Sequence, residues 1–173
     1  MKRVVIAAIW LFCGLNTSLY ASESNLNSLS LSYSAEAREK YSDNDVKSFI
    51  YQWFAAFDHQ REAGYFLNRM TETVNMEYPD FPIHSQADFL RWYRGVTDNI
   101  VWNSHHLDTI YVTGEQDTGW DVSYVVNWKA RAKNGQRYDL MVRQTLHVIR
   151  IGDALKIASL EARIQATDKQ VVH

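Results

Sequence analysis

The stretch that decides the fold is residues 120–151, WDVSYVVNWKARAKNGQRYDLMVRQTLHVIRI. It divides at Asn134-Gly135, a pair suited to the left-handed backbone of a two-residue hairpin turn. Successive side chains of a strand point to opposite faces. In the first arm one parity reads Trp120, Val122, Tyr124, Val126, Trp128, Ala130, and the other Asp121, Ser123, Val125, Asn127, Lys129, Arg131. In the second arm Tyr138, Leu140, Val142, Gln144, Leu146 and Val148 share a face. Two long strands with one apolar and one polar face predict an antiparallel sheet that covers a core on one side only.

Working outward, residues 102–113 and 155–165 have the same β-branched and aromatic character and are expected as further strands. Gly152-Asp153 is a second tight turn, and 114–119 a longer loop. The first half of the chain has a different period. Ser42 and Asp45 form a helix start, and Val46, Phe49, Ile50, Trp53, Phe54 and Phe57 follow at helical spacing. This predicts a helix ending near Asp58. A short second helix is expected over 62–70, then a strand over 73–78 closed by Pro79 and Pro82. Ser85-Gln86-Ala87-Asp88 caps a third helix reaching about Val96. Three helices followed by a mostly antiparallel, strongly curved sheet make an α+β domain with a conical cavity between the layers.

The first residues stand apart from this domain. Lys2 and Arg3 precede an uncharged apolar run, and a small-residue segment ends at Ala21. That order predicts a secretory signal peptide over 1–21 and a periplasmic or secreted protein. The run is too short to span a bilayer core, which takes about 20 apolar residues. A Ser- and Asn-rich lead-in over 22–41, a domain over 42–167 and a tail over 168–173 complete the expected organisation. The one cysteine, Cys13, falls in the segment to be removed, so the mature domain is expected to be held by its aromatic-rich core alone. The net charge of −2, with no basic stripe, speaks against a nucleic-acid partner.

Few residues suggest chemistry by themselves. His105 and His106 are strand neighbours and must face opposite sides, and His59, His84 and His147 have no metal-ligand spacing, so no metal is expected. There is no phosphate loop, nucleophile elbow or catalytic cysteine, and no cofactor is expected. Gln144 interrupts an apolar row. A buried amide needs a partner, which is either a hydrogen bond within the core or a ligand. Asp58 ends a helix, where the negative end of the dipole does not favour an acid.

The order of elements, with these residues, resembles the nuclear-transport-factor-2-like superfamily in its SnoaL-like and scytalone-dehydratase-like branch, over residues 46–164. Tyr51-Gln52-Trp53-Phe54-Ala55-Ala56-Phe57-Asp58 is similar to the dehydratase first-helix motif, which ends in a catalytic-site Asp. Glu77-Tyr78 resembles an Asp-Tyr whose Tyr helps bind a water on the substrate carbonyl. Ser104-His105 resembles a Gln-His whose His transfers protons, and Gln144 falls where the family carries a pocket Asn. The resemblance implies Asp58, His105 and Tyr78 as catalytic residues, with Gln144, Trp128, Tyr124 and Trp53 against the substrate. Two positions depart from the pattern. Phe57 stands where the dehydratase has a Tyr, and a second catalytic His falls near Arg131.

Two functions follow. One is cofactor-free acid/base chemistry, of dehydratase, isomerase or cyclase type, on a small apolar or polyketide-like molecule. The other is a non-catalytic periplasmic module holding such a ligand or a partner segment. The outer sheet face, with Val125 and the flank of Trp102, suggests a homodimer.

Overall fold

The computed structural model describes residues 40–165. The expected signal peptide, nearly all of the lead-in and the C-terminal tail lie outside the described residues.

Helix α1 (Asp43–Asp58) starts at a reciprocal cap: the Ser42 hydroxyl accepts from the Asp45 amide, and the Asp45 carboxylate accepts from the Ser42 amide at 2.8 Å. The Ser42 hydroxyl, which also donates to the Asp45 carboxylate at 2.6 Å, and then the Ser42 amide hold that carboxyl below its ordinary value. The helix buries Val46, Phe49, Ile50, Trp53, Phe54, Ala56 and Phe57, the stripe its spacing predicts. It closes in a Schellman turn. Gln60 takes a left-handed φ of 46°, its amide donates to Phe57 O at 3.0 Å, and the Arg61 amide donates to Ala56 O at 2.9 Å. Glycine usually fills that position, because a Cβ there is strained. Here the Gln60 side chain offsets the strain by donating to Ile100 O at 2.8 Å.

A short α2 (Ala63–Leu67) leads to β1 (Met70–Tyr78), β2 (Phe81–Ile83) and α3 (Gln86–Asn99), whose Ser85 cap accepts from the Asp88 amide. Then follow β3 (Ile100–Leu107), β4 (Tyr111–Glu115), β5 (Gly119–Ala132), β6 (Arg137–Ile151) and β7 (Ala154–Ile164). Among the described residues no helix is long and apolar enough to cross a membrane.

The sheet order is β2-β1-β7-β6-β5-β3, with β4 also on β5. The β5–β6 hairpin pairs Trp120 with Val148 at one end and Arg131 with Arg137 at the other, as the alternation requires. The inner parity is buried at Trp120, Val122, Tyr124, Val126 and Ala130. Helix α1 lies against β3 and β4, and α3 against β1, β2 and β3.

Several expectations are corrected. The single strand expected over 102–113 is two. It breaks at Asp108, whose carboxylate accepts from the Thr109 amide, and β3 and β4 then take successive parts of the β5 edge. The first strand begins at Met70, so the second helix is shorter than its pattern, and α3 runs on to Asn99. Pro82 does not exclude a strand but lies in β2, the outermost one, where a missing amide donor costs no ladder bond. The β1–β7 pairing is parallel, through Asn75–Ser159 and Met76–Leu160.

Candidate functional site

The end of α1 and the inner face of β3 come together through side chains. Asp58 Oδ1 lies 2.6 Å from His105 Nδ1. The two side chains retain 29% and 12% of their exposure, so the pair is sheltered but not sealed. With Asp58 ionised, Nδ1 carries the proton and donates, which leaves Nε2 as the unprotonated nitrogen of the neutral ring. Nε2 has no hydrogen-bond partner among the described residues, and it is not among their buried unpartnered atoms.

Phe54 and Phe57 wall the imidazole, with ring centroids 5.0 and 5.9 Å from His105. Phe54 also meets Tyr124 edge-on at 5.5 Å. The Tyr124 hydroxyl donates to Gln144 Oε1 at 2.8 Å, and both residues are buried. Across the cone Tyr78 stacks on Trp92 at 5.1 Å, and Trp92 meets Phe57 at 5.9 Å. Burial pushes the phenols of Tyr78 and Tyr124 well above the ordinary tyrosine value, and the nearness of Tyr78 adds to the effect at Tyr124. Both stay protonated at neutral pH, so they are hydrogen-bond donors and not bases. The Tyr78 hydroxyl has no partner among the described residues and is not closed off as a buried unpartnered atom.

Asp58 and His105 thus meet directly, as do Tyr124 and Gln144, and Tyr78 connects to His105 through two rings, Trp92 and Phe57. Trp128 pairs with His105 across β3 and β5, and its ring stacks on Tyr138 at 5.3 Å. Trp53 is 1% exposed and packs against Phe57, Phe66 and Phe89, so it meets the cluster through Phe57. Helical spacing places a residue on the inner stripe without telling core from pocket. Two residues that the sequence reading left out belong to the site. Trp92 backs Tyr78. Asn103, 7% exposed, donates from Nδ2 to Phe57 O at 3.1 Å. The signal for Asn103 was a polar side chain two residues before His105, on the same face.

Two grooves of about 460 Å³ each lie away from this cluster. One follows the outer sheet face past Asn75, Glu77, Asp121, Thr145, His147 and Glu161, with His147 Nδ1 2.9 Å from Asp121 Oδ1. The other follows the exposed side of α1. Neither contains Asp58 or His105. The inner cluster is the better candidate for chemistry because its polar groups are desolvated and held from several elements, conditions under which hydrogen bonds act most strongly. Among the described residues no three His, Cys, Asp or Glu side chains converge on a metal-sized space.

The Tyr124–Gln144 bond alters what a Gln144→Leu change should do. Gln144→Leu leaves the buried Tyr124 hydroxyl without its acceptor and is expected to cost about 1–3 kcal/mol of stability. The Tyr124→Phe and Gln144→Leu double variant removes both partners and should lose clearly less than the two single losses added together. Urea unfolding of the four proteins measures the coupling. Strictly additive losses would show that the bond contributes nothing.

No family model matches the chain, and no curated protein matches it. Solved structures do. A candidate scytalone dehydratase from Novosphingobium aromaticivorans DSM 12444 aligns with a TM-score of 0.62 at 17% identity, over 87% of this chain and 93% of that one. A nuclear transport factor 2 (NTF2-like) superfamily protein from Salmonella enterica serovar Typhimurium LT2 aligns with a TM-score of 0.65 at 11% identity, over 75% and 95%. ActVI-ORFA from Streptomyces coelicolor aligns with a TM-score of 0.57 at 16% identity, over 69% and 94%. The fold of this chain, helices packed on one face of a curved open sheet, is the nuclear-transport-factor-2-like fold.

Proposed function

We propose that this protein is a cofactor-independent acid/base enzyme, of dehydratase, isomerase or cyclase type, acting on a small and largely apolar cyclic molecule. The observation that carries the reading is the 2.6 Å contact between Asp58 and His105, set among aromatic side chains with Nε2 unpartnered. Asp58 fixes the tautomer and stabilises the imidazolium formed when Nε2 takes a proton. Nε2 returns that proton to a leaving or rearranged group in the second half of the reaction. Tyr78 donates to a substrate oxygen from the opposite wall. Trp128 flanks the imidazole, and Gln144 acts through the Tyr124 hydroxyl. Phe57 supplies no hydroxyl, so carbonyl polarisation rests on Tyr78.

A ligand-holding module is the second reading. The largely apolar surround of the imidazole, Phe54 and Phe57, suits it, because an apolar site can retain a ligand without turning it over. Export places either activity in the periplasm or outside the cell. The half-exposed Trp102 and exposed Val101 and Tyr111 suit a face that pairs with a second copy.

His105→Ala should lower turnover of a converted substrate by about 10²–10⁴-fold, the usual effect of losing a general acid or base. Asp58→Asn should cost less, since its carboxylate only orients and stabilises. Screening small cyclic hydroxy-ketones and following kcat of both variants tests this; unchanged turnover in His105→Ala, with bound ligand retained, hands the site to the second reading. Mass spectrometry of protein from the periplasm should find a chain beginning at Ser22, and full-length cytosolic protein would refute export. Light scattering at micromolar concentration should give twice the chain mass; a monomer mass rejects the homodimer.

A further inference from the structure

Strand β3 grips the end of α1 at two successive inner positions. Asn103 Nδ2 donates to the carbonyl of Phe57, and two residues later His105 meets Asp58, the residue after Phe57. The spacing matches. Residues i and i+2 of a strand share a face at about 6.6 Å separation, enough to reach first a backbone carbonyl and then the next side chain along the helix end. Asn103 and Gln144 are the two buried polar residues among those described. Burying an amide is costly unless it is bonded, so the place where its bond is made is informative.

The helix end does not depend on that bond. The Phe57 carbonyl already accepts from the Gln60 amide at 3.0 Å within the Schellman turn. A buried donor added to a carbonyl that has its partner stabilises the turn little. It does fix how far α1 stands from β3, and at which height Asp58 faces the imidazole.

We propose that Asn103 is a positioning residue that sets the Asp58–His105 geometry through the Phe57 carbonyl; the inference rests on the reading of that pair as the acid/base centre. The catalytic consequence follows from distance. A reacting group displaced by about 1 Å can lose on the order of 10²-fold in rate. Nothing in the chemistry requires Asn103 to touch substrate.

The test needs no substrate. Nitrogen-15 long-range correlation spectra of the full chain distinguish the two neutral imidazole tautomers, read in alkaline buffer where histidines are uncharged. His105→Gln identifies the His105 signals by their loss. In the unaltered protein His105 should be mainly the Nδ1–H tautomer. Asn103→Leu fills the same volume without a donor and leaves Phe57 O its Gln60 amide, so the fold should persist with a near-unchanged Tm. Its Nδ1–H fraction should fall, towards the Nε2–H form that an unconstrained histidine side chain prefers. Asn103→Ser, which keeps a donor, should retain more of the Nδ1–H form than Asn103→Leu. An unaltered tautomer ratio in folded Asn103→Leu, or equal displacement in the Leu and Ser variants, overturns the proposal. Asp58→Ala separates it from the reading beneath. If that variant also leaves the tautomer untouched, the pair itself is not the acid/base unit. If Asp58→Ala shifts the tautomer and Asn103→Leu does not, the pair stands and only the positioning role falls.

Discussion

A carboxylate in the last turn of a helix faces the negative end of the helix dipole, and nothing in the packing of α1 asks for one at Asp58. What reconciles it with the fold is the imidazole of His105 at 2.6 Å. The same arrangement depends on where α1 stops. The stop is set by the Schellman turn at Gln60 and by the Gln60 bond to Ile100 O. Three contacts between the helix end and β3, Gln60 with Ile100 O, Asn103 with Phe57 O and Asp58 with His105, therefore carry the architecture of the site.

The aromatic residues serve packing and site together. Phe57 packs on Phe66 at 4.3 Å and on Tyr93 at 5.8 Å, and also walls the imidazole. Phe54 bridges His105 and Tyr124. Rings so placed exclude water, which strengthens the hydrogen bonds they surround. They also hold the polar groups to fixed positions, because a ring packed on two sides has little freedom to turn. The cost of leaving Tyr124 or Gln144 unpaired rises for the same reason, and each is satisfied by the other.

The faces of β5 and β6 were legible because a sheet covered on one side alternates strictly, and burial follows the parity read from Trp120 onward. The helix starts were legible from Ser42 and Ser85, whose side chains do accept the expected amides. The parallel β1–β7 pairing was not, since no local pattern records which distant strand lies alongside. Asn103 escaped notice although it shares its face with His105, because no local pattern marks a strand asparagine whose partner is the carbonyl of a distant helix end. Trp53 shows a different limit. It shares a stripe with Phe54 and Phe57, yet one ring faces Phe66 and Phe89 while the other faces His105. Helical periodicity gives a direction and not a depth.

Phe57 bears on what the site can recognise. It packs beside the imidazole of His105 and brings no hydroxyl there. The polar atoms left for a ligand under the proposed function are His105 Nε2, beside Phe54 and Phe57, and the Tyr78 hydroxyl, whose ring stacks on Trp92. The Phe57 ring meets both His105 and Trp92 and offers neither a donor nor an acceptor. The complementary molecule then has an apolar body and two polar points, one bearing the mobile proton and one an oxygen that accepts from a phenol held protonated by its burial.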